Sequence, residues 1–236
     1  MHGVMDRGAT FLNVTRRLPN DSWIVYDRRG YGRSVSSNVS TFDDHVSDLV
    51  ALVRRESDGT PFVLVGHSLG GTIALAAAAQ TSESVAAVVI HEAPLPWLDW
   101  WPIRDADGRR IEDESPTNAV IRVMQRTAGD QVWESLPEAV RQKRISEGPT
   151  MVAELVTARE RCPFNSSDLE MPVVVCRGSR SSGHREQAQH WLLHELTNAS
   201  SVVIDGAAHN VQASHPDPFA QIVQTTVNGV SRSEGS

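Results

Sequence analysis

Cysteine is almost absent: of 236 residues only Cys162 and Cys176 carry a thiol, too few for a disulfide framework and without the paired spacing of a zinc knuckle. Cys176, beside the apolar run Val173-Val174-Val175, reads as a small buried strand residue. Positive charge is also short. With 22 Lys and Arg against 29 Asp and Glu the formal net charge is −7. The chain therefore offers no basic field for counterion release, and neither nucleic acid nor an anionic membrane surface is an expected partner. The basic runs Arg28, Arg29, Arg33 and Arg109, Arg110 are too small to change that. Long apolar runs are missing too. The longest, Ile73 to Ala79, falls far short of the roughly 20 residues that a membrane-spanning helix needs, and no basic-then-apolar signal pattern is found at the N-terminus. The expectation is a cytoplasmic protein.

What remains is an ordinary globular composition, 40% hydrophobic and 22% charged with 16 Gly and 12 Pro, on a chain long enough to bury a sizeable core. Strand-like apolar runs recur at Trp23 to Tyr26, Phe62 to Val65, Val85 to Ile90, Val173 to Cys176 and Val202 to Ile204. Helical patterns separate several of them, which predicts an α/β fold with a mainly parallel sheet covered on both faces. One helix should follow Thr41, with Asp44 at capping-box spacing and Val46, Leu49, Val50 and Val53 on one face. Another should run from about Arg185 to Leu196, and a last one from Pro216 to just before Gly229. Residues 94–168 break the alternation. They show no convincing strand but three helical stretches, starting near Ser115, Leu136 and Thr150, and read as a helical insertion. The expected division is a core of 1–93 and 169–230, the insertion 94–168, and a loose Ser/Gly-rich tail 231–236.

The chemistry concentrates at Phe62 to Ala79. The apolar run Phe62-Val63-Leu64-Val65, the segment Gly66-His67-Ser68-Leu69-Gly70-Gly71 and the helix former Ile73 to Ala79 spell strand, tight turn, helix. Glycine on both sides of Ser68 lets the backbone bend sharply, exposing Oγ while the helix N-terminus aims backbone donors at it. A serine nucleophile needs a base, and the base needs an orienting acid. His209, in a loop after the last strand run, is the best base, because catalysis in open α/β sheets gathers at the carboxyl ends of the strands. His190 and His194 share a helix face but lack a third ligand, so no metal is expected. His67 and His91 read as packing groups.

These motifs resemble the alpha/beta-hydrolase family of the serine type over nearly the whole chain. His2-Gly3-Val4 resembles its oxyanion loop, Tyr26 to Ser34 a structural turn, Gly66 to Gly71 its nucleophile elbow, Ala208-His209 its histidine loop, and the insertion its helical cap. The resemblance implies Ser68 as nucleophile, His209 as base, and the backbone N–H groups of Val4 and Leu69 as the oxyanion hole. It implies no cofactor and a small-molecule substrate. Trp97, Trp100 and Trp101, at the mouth of the insertion, offer an apolar wall for an ester-like substrate of apolar character.

Two departures stand out. In the family the strand before His-Gly follows two more strands and lies between two neighbours in the sheet. This sequence has none of them, an apparent N-terminal truncation, and poor solubility of the 236-residue form is the expectation. The family's usual acid is missing as well: Arg177-Gly178-Ser179-Arg180-Ser181 follows the fourth of the five strand runs, with no carboxylate. We assign the acid to Glu92, at the end of Val88-Val89-Ile90-His91. Haloalkane dehalogenases resemble this arrangement, and the order Ser68, Glu92, His209 follows the fold. Asp205 is the nearest rival. The same groups would also serve a thioesterase, an acyltransferase, a carbon–carbon hydrolase or a perhydrolase, or a non-catalytic ligand-binding protein on the same scaffold.

Overall fold

The computed structural model describes residues 1–34, 38–181 and 183–233, the last three by backbone alone. Four strands, β1 (Phe62–His67), β2 (Val85–His91), β3 (Val173–Gly178) and β4 (Ala199–Ile204), form one parallel sheet in the order β1-β2-β3-β4. Alternation within the strands separates two layers. Leu64, Val88, Ile90 and Val175 face one core, while Val65, Val89, Cys176 and Ile204 face the other.

Helices α1 (Leu12–Thr15), α2 (Phe42–Glu56), α3 (Leu69–Gln80), α4 (Pro116–Ala128), α5 (Asp130–Ser135), α6 (Glu138–Ser146), α7 (Gly148–Thr157), α8 (Gly183–Glu195), α9 (Val211–Ser214) and α10 (Pro216–Ser233) surround the sheet. The α2 start carries the capping box the spacing predicts: Thr41 Oγ1 accepts from Asp44 N, and Asp44 accepts from Thr41 N. α3 is apolar on every side, and Leu69 to Ala78 are all buried, between β1, β2 and α2. Residues 94–168 contain α4 to α7 and no strand among the described residues, as the pattern implied, with the short α5 added. Among the described residues no helix is long and apolar enough to cross a membrane.

Three expectations need correction. Trp23 to Tyr26 does not join the sheet, and Ile24 and Val25 are 48% and 37% exposed. The flank of β1 that it would need is taken by the N-terminal segment: the Met1 amine donates to Val65 O and His67 N donates to Met1 O. The last helix does not stop at Gly229 but runs to Ser233, since a single glycine costs a helix only about 1 kcal/mol. The tail expected over 231–236 thus begins as helix, and 234–236 lie outside the described residues.

One buried ionic group fastens α7 to the N-terminal segment. Arg28 and Glu154 have side chains 1% and 0% exposed and meet at 2.5 Å. The same guanidinium donates to the carbonyls of His2 and Gly3, while Tyr31 Oη donates to Glu154 and His45 Nε2 lies 2.9 Å from it. Burial alone would raise the Glu154 pKa, but the Arg28 charge and His45 outweigh it and hold the carboxyl at about 2 against an ordinary 4.5. A carboxylate with a depressed folded-state pKa stabilises above its unfolded value and loses that contribution as pH falls toward the folded one. Stability should therefore drop between pH 4.5 and about 2. Glu154→Gln, which strands Arg28 without a countercharge, should cost about 3–5 kcal/mol at neutral pH and flatten that drop. Urea titrations across the pH range measure both, and a cost below about 1 kcal/mol would contradict the assignment.

Candidate active site

The register of the sheet brings three loop ends to one edge. His67 pairs with His91 and His91 with Cys176, so the residues just beyond β1, β2 and β3 are neighbours. Ser68, the first of these, adopts φ 52 and ψ −133 between β1 and α3. Gly66 permits the bend, since a Cβ there would lie 2.5 Å from the Gly71 Cα. Ser68 N donates to His91 O at 2.9 Å, tying the turn to the next strand. Three non-glycine residues have positive φ among the described residues: Met5, Ser68 and Glu92. Ser68 and Glu92 follow the ends of β1 and β2 at this edge, and Met5 lies in the N-terminal loop; such strain, of order 1–3 kcal/mol per residue, collects at functional sites.

The N-terminal loop closes over the turn. A Cβ on Gly3 would lie 2.9 Å from the Ser68 Cβ, so the loop backbone presses directly on the serine. His2 orients this loop, its Nδ1–H donating to Gly3 O and its Nε2 accepting from Arg28 N. Among the described residues the N–H groups of Val4 and Leu69 engage in no hydrogen bond. They are free donors beside Ser68, which is half-buried.

Glu92 is buried at the end of β2, with its own N–H held by Cys176 O at 2.9 Å. Its Oε1 accepts from Gly178 N at 3.1 Å and from the Ser181 hydroxyl; its Oε2 lies 2.7 Å from His209 Nδ1 and 2.9 Å from Arg185 Nε. Burial raises its pKa, yet the bond to His209, the nearby His91, the Ser181 hydroxyl and Arg185 together lower it below the ordinary carboxylate value. The last residue of β3 and the segment after it thus supply donors to Glu92. Asp205 does something else: it accepts from Ser179 Oγ, which in turn accepts from Gly206 N, bracing the loop after β4.

His209 stands in that loop. Its carbonyl accepts from His67 Nε2 at 2.8 Å, and the two rings lie 4.7 Å apart. With Nδ1–H given to Glu92, the neutral ring keeps a free lone pair on Nε2. Among the described residues no hydrogen bond joins His209 to Ser68 Oγ; such bonds often tighten only when substrate is present. Burial, chiefly, lowers the His209 pKa, with Glu92 opposing and Arg185 and Arg126 assisting. His67 and His91 are buried as well, and burial pushes His91 down to about 4.

The tryptophans divide. Trp97 packs edge-on against Phe164 and Trp191 in the core, Trp100 is 40% exposed, and Trp101 alone of the three lines the cavity beside Leu69. This cavity, of about 100 Å³, is lined by apolar groups such as Pro94, Trp101 and Ile103 and by Arg104, Asp105, Arg122, Arg126 and Arg159. Those arginines and Arg185 escape a sequence reading. They are scattered along residues 94–168 and α8, and only folding gathers them.

Residues 1–222 match the alpha/beta hydrolase family. The chain belongs to that family. It is 37% identical over 113 residues to lipase LipV of Mycobacterium tuberculosis, a stretch covering 48% of this chain and 40% of the lipase. It is 28% identical over 247 aligned residues to 2-(acetamidomethylene)succinate hydrolase of Mesorhizobium japonicum, covering 92% of this chain and 82% of that enzyme. In fold it is similar to a thermophilic esterase from Thermogutta terrifontis, with a TM-score of 0.69, 21% identity, and 97% of this chain and 88% of the other covered.

The opposing influences on His209 give a signed prediction. Its imidazole should titrate below 6.5 by NMR, and Glu92→Gln, which removes the carboxylate that favours the cation, should move the midpoint lower still. A midpoint that rises in the variant would contradict the pairing.

Proposed function

We propose that this protein is a serine hydrolase that cleaves an ester-like bond of a small substrate through an acyl-enzyme on Ser68. The observation that carries the reading is the 2.7 Å contact between Glu92 and His209 Nδ1, which leaves Nε2 as the basic atom at the edge where Ser68 sits half-buried on its strained turn. In this reading His209 Nε2 takes the Ser68 proton as Oγ attacks the carbonyl carbon. Glu92 stabilises the imidazolium, and the Val4 and Leu69 N–H groups receive the oxyanion. The alcohol departs with the proton from His209; water then attacks the acyl-enzyme by the same route in reverse and frees Ser68. Residues 94–168 act as a cap over a core of 1–93 and 169–230, and Trp101 with its proline and isoleucine neighbours receives the apolar part of the substrate.

Kinetics on 4-nitrophenyl esters test the roles. Ser68→Ala should abolish turnover without unfolding the protein, and His209→Ala should be nearly as damaging, because groups acting as a unit do not lose activity additively. Glu92→Gln should lower kcat by about 10²–10⁴, whereas Asp205→Asn should do much less. Activity of Ser68→Ala within threefold of the parent, or the reverse ranking of the two acids, would overturn the assignment.

A further inference from the structure

The walls of the cavity beside Leu69 are not electrically balanced. Arg122 is matched by Glu114 and lies 3.6 Å from Asp105; Arg159 is matched by Glu112 at 2.9 Å; Arg104 donates to Gly108 O. Arg126, in the last turn of α4, differs: among the described residues it has no hydrogen bond and no ion pair. Asp105 exerts an attraction on it but is already 3.2 Å from Arg109 as well as close to Arg122. The side chain stays open to solvent, yet enough protein surrounds it that burial, reinforced by the like charges of Arg122 and Arg185, lowers its pKa from the ordinary arginine value. Its charge is felt at both His184 and His209. A helix C-terminus favours a cation, but that accounts for the charge and not for its place in the wall of a cavity that also contains Leu69.

We propose that Arg126 is the anchor for a carboxylate on the substrate, so that the ester cleaved at Ser68 belongs to an anionic acid such as a dicarboxylic monoester. The planar guanidinium fork matches a carboxylate in two parallel hydrogen bonds. The apolar wall at Pro94, Trp101 and Ile103 would hold the short carbon chain between the two ends. A cavity of about 100 Å³ suits a short chain rather than a long lipid tail. This inference rests on the ester-cleaving reading above and specifies its substrate class.

The test compares 4-nitrophenyl acetate with the mono-4-nitrophenyl ester of succinate, at fixed ionic strength. The parent should favour the anionic ester by about 10- to 100-fold in kcat/KM, carried by KM, and Arg126→Gln should bring that ratio toward one. Arg141→Gln, which removes a charge paired with Glu138 on α6, should keep the parent's ratio. A second arm needs no catalysis: succinate titrated calorimetrically into the Ser68→Ala protein should bind, and should fail to bind once Arg126→Gln is added. Equal use of both esters by the parent, a preference that survives Arg126→Gln, or an equal loss in Arg141→Gln would overturn the inference. If neither ester is turned over, the hydrolase reading fails, and the succinate titration decides the anchor on its own: binding that depends on Arg126 upholds it, and no binding overturns it.

Discussion

A buried carboxylate at a strand end must be surrounded by donors or it will not stay ionised, and Glu92 meets that condition with four: the Gly178 N–H, the Ser181 hydroxyl, the Arg185 guanidinium and His209 Nδ1. These come from the end of β3, the loop after it, the start of α8 and the loop after β4. One side chain therefore holds together the carboxyl edge of three strands, and the position of the imidazole follows from it. The left-handed backbone at Glu92 and Ser68 belongs to the same arrangement, because adjacent strands in register end at these residues and both must turn sharply to leave the sheet.

The other side of the site depends on a second buried charge. Arg28 holds the carbonyls of His2 and Gly3 while pairing with Glu154 of α7. The backbone that faces Ser68 is thus fixed by a residue whose countercharge lies in α7. Arg7 repeats the connection, reaching Glu147 at 2.6 Å, and Gly32 N donates to the same carboxylate. Asp27 meanwhile accepts from Gly8 N and Arg33 N. The charges of the 26–34 turn serve structure, and α7 with the residue before it is held by ion pairs as well as by apolar packing.

Much of this was legible in the residues, and the limits are physical. The sharp turn at Ser68 could be read because a bend this tight between an apolar strand and a helix requires glycines at fixed distances around the serine, where a Cβ would meet neighbouring backbone. Glu92 could be placed at the sheet edge because strand length fixes where β2 ends. The Trp23 to Tyr26 run misled because apolar composition reports a capacity to pair, whereas joining a sheet also requires a vacant edge, and here Met1 occupies it. The arginines around the cavity were invisible for a related reason. Arg122 and Arg126 share a helix, but Arg104 and Arg159 are far from them in sequence, and charge balance in a cavity is a property of the assembled walls.

The central claim is that Ser68 is activated through His209 by Glu92, and covalent labelling reads that activation without any assumption about the natural substrate. A fluorophosphonate captures a nucleophilic serine in a stable adduct that peptide mass spectrometry can locate. The account predicts one adduct per chain, on Ser68, with a labelling rate that falls by orders of magnitude in Glu92→Gln protein of unchanged fold. An adduct on another residue, or equal labelling rates for the parent and Glu92→Gln, would contradict it.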